Sequence, residues 1–333
     1  MKYVLLLGIA AAAMAAEGYH VLSQIKIGGG GFWDYLTMDS SARRLYASHG
    51  NLTEVIDVDA GKKVGEIPDT QGVHGIALAP DLNKGFTSNG RTNNVTIFDL
   101  KTLQKAGEVA TGTNPDAICY EPKTQRVFTF NGRSNDSTAI DAKTNTVVAT
   151  FMVGQKPEFC AVDGAGKLYA NIENTSEIVE IDAQTPTVTR RAKLEPCEAP
   201  SGLAIDTKNH KLFSVCENKM MAVTDIATLK VIATPAVGAG PDAAGFDPAT
   251  GLIFSSNGQD GTLTILKEAK GKYEPVETVT TERTARTMAL DPKTHRIYLS
   301  AAEVGPAPEA KDGQKKGRPP MVADSYHIVV VGK

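Results

Sequence analysis

The chain has 333 residues, 41% apolar and 22% charged, with 31 Gly, 17 Pro, one Trp and a formal charge of −3. That apolar fraction excludes a disordered chain, and the charge excludes a protein that is basic throughout, so nucleic-acid binding would need a local patch. The length suits two or three domains or one large β-architecture. At the N-terminus an apolar run over residues 4–16 follows Lys2, ends in small residues around Ala13 and Ala15, and gives way to Glu17. This order predicts a secretory signal peptide over residues 1–16 and a periplasmic or secreted protein. The run is too short to span a bilayer comfortably, so no membrane span is expected once it is cleaved.

From residue 17 onward one unit is written seven times. A residue that enters the first turn of each unit falls at Asp39, Ala79, Glu121, Asp163, Asp206, Asp247 and Asp291, in steps of 40 to 44. A second marker at the same period falls at Asp57, Asp99, Asp141, Asp182 and Asp225. In the third unit, runs rich in Val, Ile, Tyr, Phe and Thr occupy 116–120, 126–130, 137–140 and 146–152, separated by turn residues. Four strands per repeat of about 42 residues is the signature of a β-propeller blade. The predicted fold is therefore all-β: a seven-bladed propeller forming one domain over 17–333, read as a monomer. The seventh unit supplies three strands (286–290, 296–300, 327–331) and then the chain stops. Residues 21–27 are its predicted fourth strand, so the N-terminal strand closes the last blade. Between its second and third strands lies an insertion, 303–324, rich in Pro, Gly, Lys and Glu and read as a loop over the channel mouth.

Three motifs recur in the units. Gly-x-x-Pro stands before the first strand at Gly112/Pro115, Gly154/Pro157 and Gly238/Pro241. A Phe-bearing second strand runs into Asn-Gly at Asn89-Gly90 and Asn257-Gly258, and the third strand ends in Ile-Asp before Thr-Asn-Thr-Val-Val-Ala-Thr in the best copy. On these motifs the chain resembles the YVTN-repeat (YncE-like) propellers over all of 17–333. It departs from the pattern where Trp33 and Ala285 replace the proline. The resemblance implies a seven-bladed propeller, commonly exported, most often without assigned chemistry.

Alternate strands run in opposite directions, so the loops before the first strands and after the second strands share one face. There the residue after the Pro position is Asp34, His74, Asp116, Glu158, Ser201, Asp242 and Arg286 in turn, a polar ring at the channel mouth with Trp33 beside it. His49, Arg91 and Arg133 are expected further out. The reading that follows is a non-enzymatic binding or scaffold protein that holds a small ligand or protein partner on this face. No cofactor is required; a divalent metal is the optional occupant, with His49, His74, Asp34 and Asp116 as its ligands. The competing structural role for the ring residues is capping and packing against neighbouring blades, since they share strand parity with Ile118 and Tyr120. Two further alternatives stand. One is a metal-assisted lyase or lactonase using His49 and His74 with Glu158 or Asp116 as base. The other is single-stranded nucleic-acid binding, with Arg91, Arg133, Lys311, Lys315, Lys316 and Arg318 on phosphates and an exposed Trp33 for stacking. Of the four cysteines, Cys197 and Cys216 are predicted to form a disulfide, and Cys119 and Cys160 to be small buried packing residues.

Overall fold

A computed structural model describes residues 18–306 and 319–333; the predicted signal peptide lies outside these residues. Seven antiparallel sheets of four strands each are arranged in sequence order. The innermost strands are Trp33–Asp39, Val73–Ala79, Pro115–Glu121, Pro157–Val162, Pro200–Asp206, Pro241–Asp247 and Met288–Asp291. Each packs beside the next, and the last packs beside the first, which closes the ring. Among the described residues helix is confined to two 3₁₀ turns, Pro80–Leu82 and Glu173–Thr175. No helix there is long and apolar enough to cross a membrane.

Local chemistry accounts for the period. The Asp markers cap turns: Asp39 accepts from the backbone N–H groups of Ser41 and Ala42, and Asp57, Asp99, Asp141 and Asp225 do the same two or three residues on. The Asn of the Asn-Gly motif is fully buried and satisfied. In blade 2 the Asn89 amide donates to Thr96 Oγ1 (2.8 Å) and its carbonyl accepts from Thr87 Oγ1 (3.0 Å), and Asn131 and Asn257 repeat this in blades 3 and 6. The Ser before it ties one blade to the next, since Ser88 donates to the Asp116 carbonyl and Ser256 to the Arg286 carbonyl.

The core is split into seven apolar clusters, one at each interface between neighbouring blades. The cluster between blades 7 and 1 is built around Ile25, Trp33, Leu45, Tyr298, Tyr326 and Ile328. Ring closure follows the predicted plan: the strand His20–Lys26 pairs antiparallel with His327–Gly332, from His20 opposite Gly332 to Lys26 opposite His327. The first strand of blade 7 is shorter than expected and begins at Met288. The insertion of blade 7 is rooted by an isolated bridge between Val304 and Met321. Its central cations Lys311, Lys315, Lys316 and Arg318 lie outside the described residues.

The structure corrects one cysteine assignment. Cys119 and Cys160 form a disulfide between the inner strands of blades 3 and 4, with Cα atoms 6.4 Å apart. They stand one residue apart in register on adjacent inner strands, which brings the two thiols together across the interface, so they cross-link it as well as pack in it. Cys197 and Cys216 are bonded within blade 5, Cα atoms 5.5 Å apart.

Ile25 is 5% exposed in the closing strand, so Ile25→Ala should cost about 2–4 kcal/mol. Deleting residues 18–28 should lower the thermal midpoint further; an unchanged midpoint in either protein contradicts the closure. Replacing Cys119 and Cys160 together by Ser releases a link between positions 41 apart and should cost about 2–4 kcal/mol in denaturant unfolding.

Candidate functional site

The seven ring residues take their aim from a backbone irregularity. In six blades the ladder between the first and second strands slips near the start of the inner strand, for example between Pro115 and Ile118 or Trp33 and Leu36. A bulge of this kind re-aims side chains and breaks the simple alternation of faces. The residue after the Pro position and its successor are thus freed from the parity of the strand below. The inner strands also crowd together at this level: a Cβ on Gly202 would lie 2.5 Å from Ala243 Cα.

At the mouth, His74 Nδ1 lies 2.7 Å from Asp34 Oδ2 and 3.8 Å from Asp116 Oδ1. Arg286 stands on the other side of Asp34, 3.6 Å from its Oδ1 and 3.3 Å from Asp242 Oδ2, and donates to the Trp33 carbonyl at 3.0 Å. Glu158 is paired with Lys156 at 3.2 Å, and Lys156 also meets Glu173. Ser201 does not join the charges; its hydroxyl donates to the Pro241 carbonyl of the next blade at 3.2 Å.

The electrostatics follow from carboxylates gathered in a half-buried ring. Burial opposes charge on the His74 imidazole, yet the hydrogen bond to Asp34 and the field of Asp116 outweigh it and raise its pKa to about 9. Asp116 is pushed up by burial; His74 draws it back and Asp34 pushes it further up. Glu158 is raised by burial first and by Asp116 second. Arg286 stays charged because Asp242 and Asp34 offset its burial.

Below the ring the channel is crossed by two side chains that the repeat pattern did not single out. Tyr35 from blade 1 and Phe159 from blade 4 stack with ring centroids 4.9 Å apart. Burial, followed by the fields of Asp116 and Glu158, keeps the Tyr35 phenol protonated. The signal was present one place beyond the polar ring, where the residues are Tyr35, Gly75, Ala117, Phe159, Gly202, Ala243 and Thr287. Only two of them are large enough to meet across the channel. Beneath the pair lies a cavity of about 230 Å³ lined by Ile76, Ile118 and Leu290 among others.

Several predicted site residues lie elsewhere than expected. His49 does not join His74. It is 4% exposed, its Nδ1 is 3.0 Å from Glu54 Oε1, and its ring stacks on Tyr326 at 4.2 Å. Among the described residues one group of three metal-capable side chains forms: Asp34, His74 and Asp116, with ligand atoms within 4.8 Å of one another. The paired-histidine arrangement of the lyase alternative is therefore not assembled. Trp33 is 8% exposed and packs on Tyr326 at 5.9 Å, so it offers no face for stacking a base. The exposed aromatic at the mouth is its neighbour Phe32, at 63%.

Phe32, Trp33 and Arg286 form a ridge between two open lobes, each lined by all three. One lobe, about 870 Å³, carries Glu173, Glu217 and Asp242 against Arg283 and Arg286. The other, about 960 Å³, carries Lys63, Arg91, Arg133 and Arg286 against Asp34 and Glu54. The two lobes thus differ in charge, the first carrying more carboxylates than cations and the second the reverse.

No family model matches the chain, and no curated protein does. Solved structures match over most of its length. The chain is similar to a chain of Kuenenia stuttgartiensis hydrazine synthase at 16% identity, TM-score 0.72, covering 84% of this chain and 94% of that one. It is similar to a chain of the mitotic checkpoint complex at 14% identity, TM-score 0.75, with 90% and 94% covered. It is also similar to the RRP9 WD40 repeats at 9% identity, TM-score 0.77, with 93% and 97% covered. At these identities the likeness shows the propeller fold, WD40-like in form, and nothing of the chemistry.

An unfolded-chain imidazole loses its proton near pH 6.5, whereas folded His74 keeps it to about 9. The folded state therefore holds the extra proton across that window. The stabilisation is complete below about pH 6.5 and is lost as the pH rises through about 9. The thermal midpoint should fall over this range in the native protein and fall less in His74→Gln; parallel profiles would contradict the assignment.

Proposed function

We propose that this is an exported, non-enzymatic binding protein of the YVTN-repeat type, whose channel mouth takes a small ligand with a cationic centre, a divalent transition metal being the simplest. The observation that carries this reading is the Asp34–His74–Asp116 group, three donors from adjacent blades within 4.8 Å of one another. One imidazole and two carboxylates suit a borderline divalent ion. Asp34 and His74 line the 960 Å³ lobe, so the group borders an open approach. His74 and Arg286 already neutralise part of the carboxylate ring, and an incoming cation would take over the first of these roles. The propeller fold supports the binding role by bringing one side chain from each blade to a common mouth. Export is supported by the apolar run over residues 4–16 after Lys2, and the family by the Gly-x-x-Pro and Asn-Gly motifs.

Titration with Zn²⁺ and Mn²⁺, with tetramethylammonium as an organic cation, tests the reading. A metal should bind saturably at one site and raise the thermal midpoint, and should release a proton at pH 7 because His74 must deprotonate to coordinate. Both effects should disappear in His74→Ala and in Asp116→Asn. Binding of none of these cations, or metal binding unchanged in both variants, overturns it.

A further inference from the structure

Two buried polar atoms at the edge of the larger lobe have no partner. His49 Nε2 and Trp33 Nε1 each lie in a residue more than nine-tenths buried, and neither makes a hydrogen bond. The two residues face each other across the ladder as paired positions of the first and second strands of blade 1. Both rings pack on Tyr326, and both residues line the lobe. Leaving such groups unpaired is costly, of order 1–3 kcal/mol each.

Their chemistry is complementary. The carboxylate of Glu54, held also by Lys63 at 2.7 Å, accepts from His49 Nδ1–H and so fixes the tautomer. In the neutral ring Nε2 then presents its lone pair as an acceptor, while Trp33 Nε1–H is a donor only. A hydroxyl group is the function that accepts from one and donates to the other. The charge around this pair is specific too. The lobe carries four permanent cations against two carboxylates, and Arg91 and Arg133 are exposed on its wall.

The loop Gly28–Gly31 lies over the imidazole. It is anchored by Gly28 N–H donating to the Tyr326 carbonyl and Gly29 N–H donating to Asp324 Oδ1, both at 2.9 Å. A Cβ on Gly29 would lie 3.1 Å from His49 Cε1, and one on Gly31 would lie 3.2 Å from Gly50 Cα. Gly28, Gly29 and Gly31 all have positive φ. The Gly28–Gly31 run is thus a close-fitting cover, with Gly29 held tight against His49.

We propose that the larger lobe is a binding site for a hydroxyl-bearing carboxylate, with the carboxylate against Arg91 and Arg133 and one hydroxyl accepting from Trp33 Nε1 while donating to His49 Nε2. The glycine loop moves aside to admit it. The contacts proposed here use none of Asp34, His74 or Asp116, although Asp34 and His74 line the same lobe, so the His49 and arginine variants test them apart from cation binding at the ring.

Calorimetric titration of the full chain with three probes of six carbons separates the contributions. Gluconate has both charge and hydroxyls, hexanoate only the charge, and sorbitol only the hydroxyls. Gluconate should bind saturably and at least about tenfold more tightly than either, the worth of one good hydrogen bond or charge contact. His49→Phe, which keeps a ring on Tyr326, should bring gluconate down to the level of hexanoate. The Arg91→Gln/Arg133→Gln variant, changed only at exposed positions, should bring it down toward sorbitol and remains informative if His49→Phe fails to fold. Gluconate binding no tighter than hexanoate, no binding of any probe, or gluconate affinity unchanged in the arginine variant overturns the proposal.

Discussion

Each four-stranded blade presents two apolar faces, and in this molecule only the neighbouring blades can cover them. Seven blades give seven interfaces, and each interface has its own apolar cluster. A chain folded this way cannot stop at six covered interfaces without leaving one pair of apolar faces in water. The seventh interface is closed by a strand from the opposite end of the chain, which hydrogen-bonds to His327–Gly332 and inserts Ile25 between blades 7 and 1. The ladder between the two termini and the packing of Trp33, Tyr298 and Tyr326 are therefore parts of one constraint.

The same closure creates the site. Inner strands crowd toward the axis, and bulges at their mouth ends turn side chains that would otherwise alternate between faces. Asp34, His74 and Asp116 come from three consecutive blades and meet because the ring brings equivalent positions together. Their charge is contained rather than left in mutual repulsion, by His74, by Arg286 and by Lys156 beside Glu158. Tyr35 and Phe159 then stack across the channel below the ring. The ridge of Phe32, Trp33 and Arg286 divides the mouth into lobes of different charge.

Much of this was legible in the residues, and the failures have a common cause. The Asp markers were readable because an Asp that caps its own turn acts over two or three residues. The closing strand was readable because blade 7 lacked one. Asp116 shares its sequence parity with Ile118 and Tyr120, but a bulge lies between them, so that parity alone does not fix its face. His49 takes the place that the buried Asn89, Asn131 and Asn257 hold in other blades, opposite the Pro position of the first strand, and bonds Glu54 inside blade 1 instead of joining His74. Trp33, the one tryptophan, was expected at the surface; Tyr326, almost three hundred residues later, buries it. Cys119 and Cys160 looked like packing residues until the angle between two neighbouring blades brought their sulfurs together.

By itself the sequence determined the repeat, the number of blades, the turn chemistry, the closing strand and the membership of the polar ring. Each of these depends on contacts within one unit or on a count of units. Only the tertiary structure decided which ring members touch, which histidine joins them, how the cysteines of blades 3 and 4 pair, and where the mouth divides. Those outcomes rest on side chains from different blades, separated by forty residues or by most of the chain, and on bulges that redirect them. Their distances are set by how the blades pack around the axis, a quantity that no local pattern encodes.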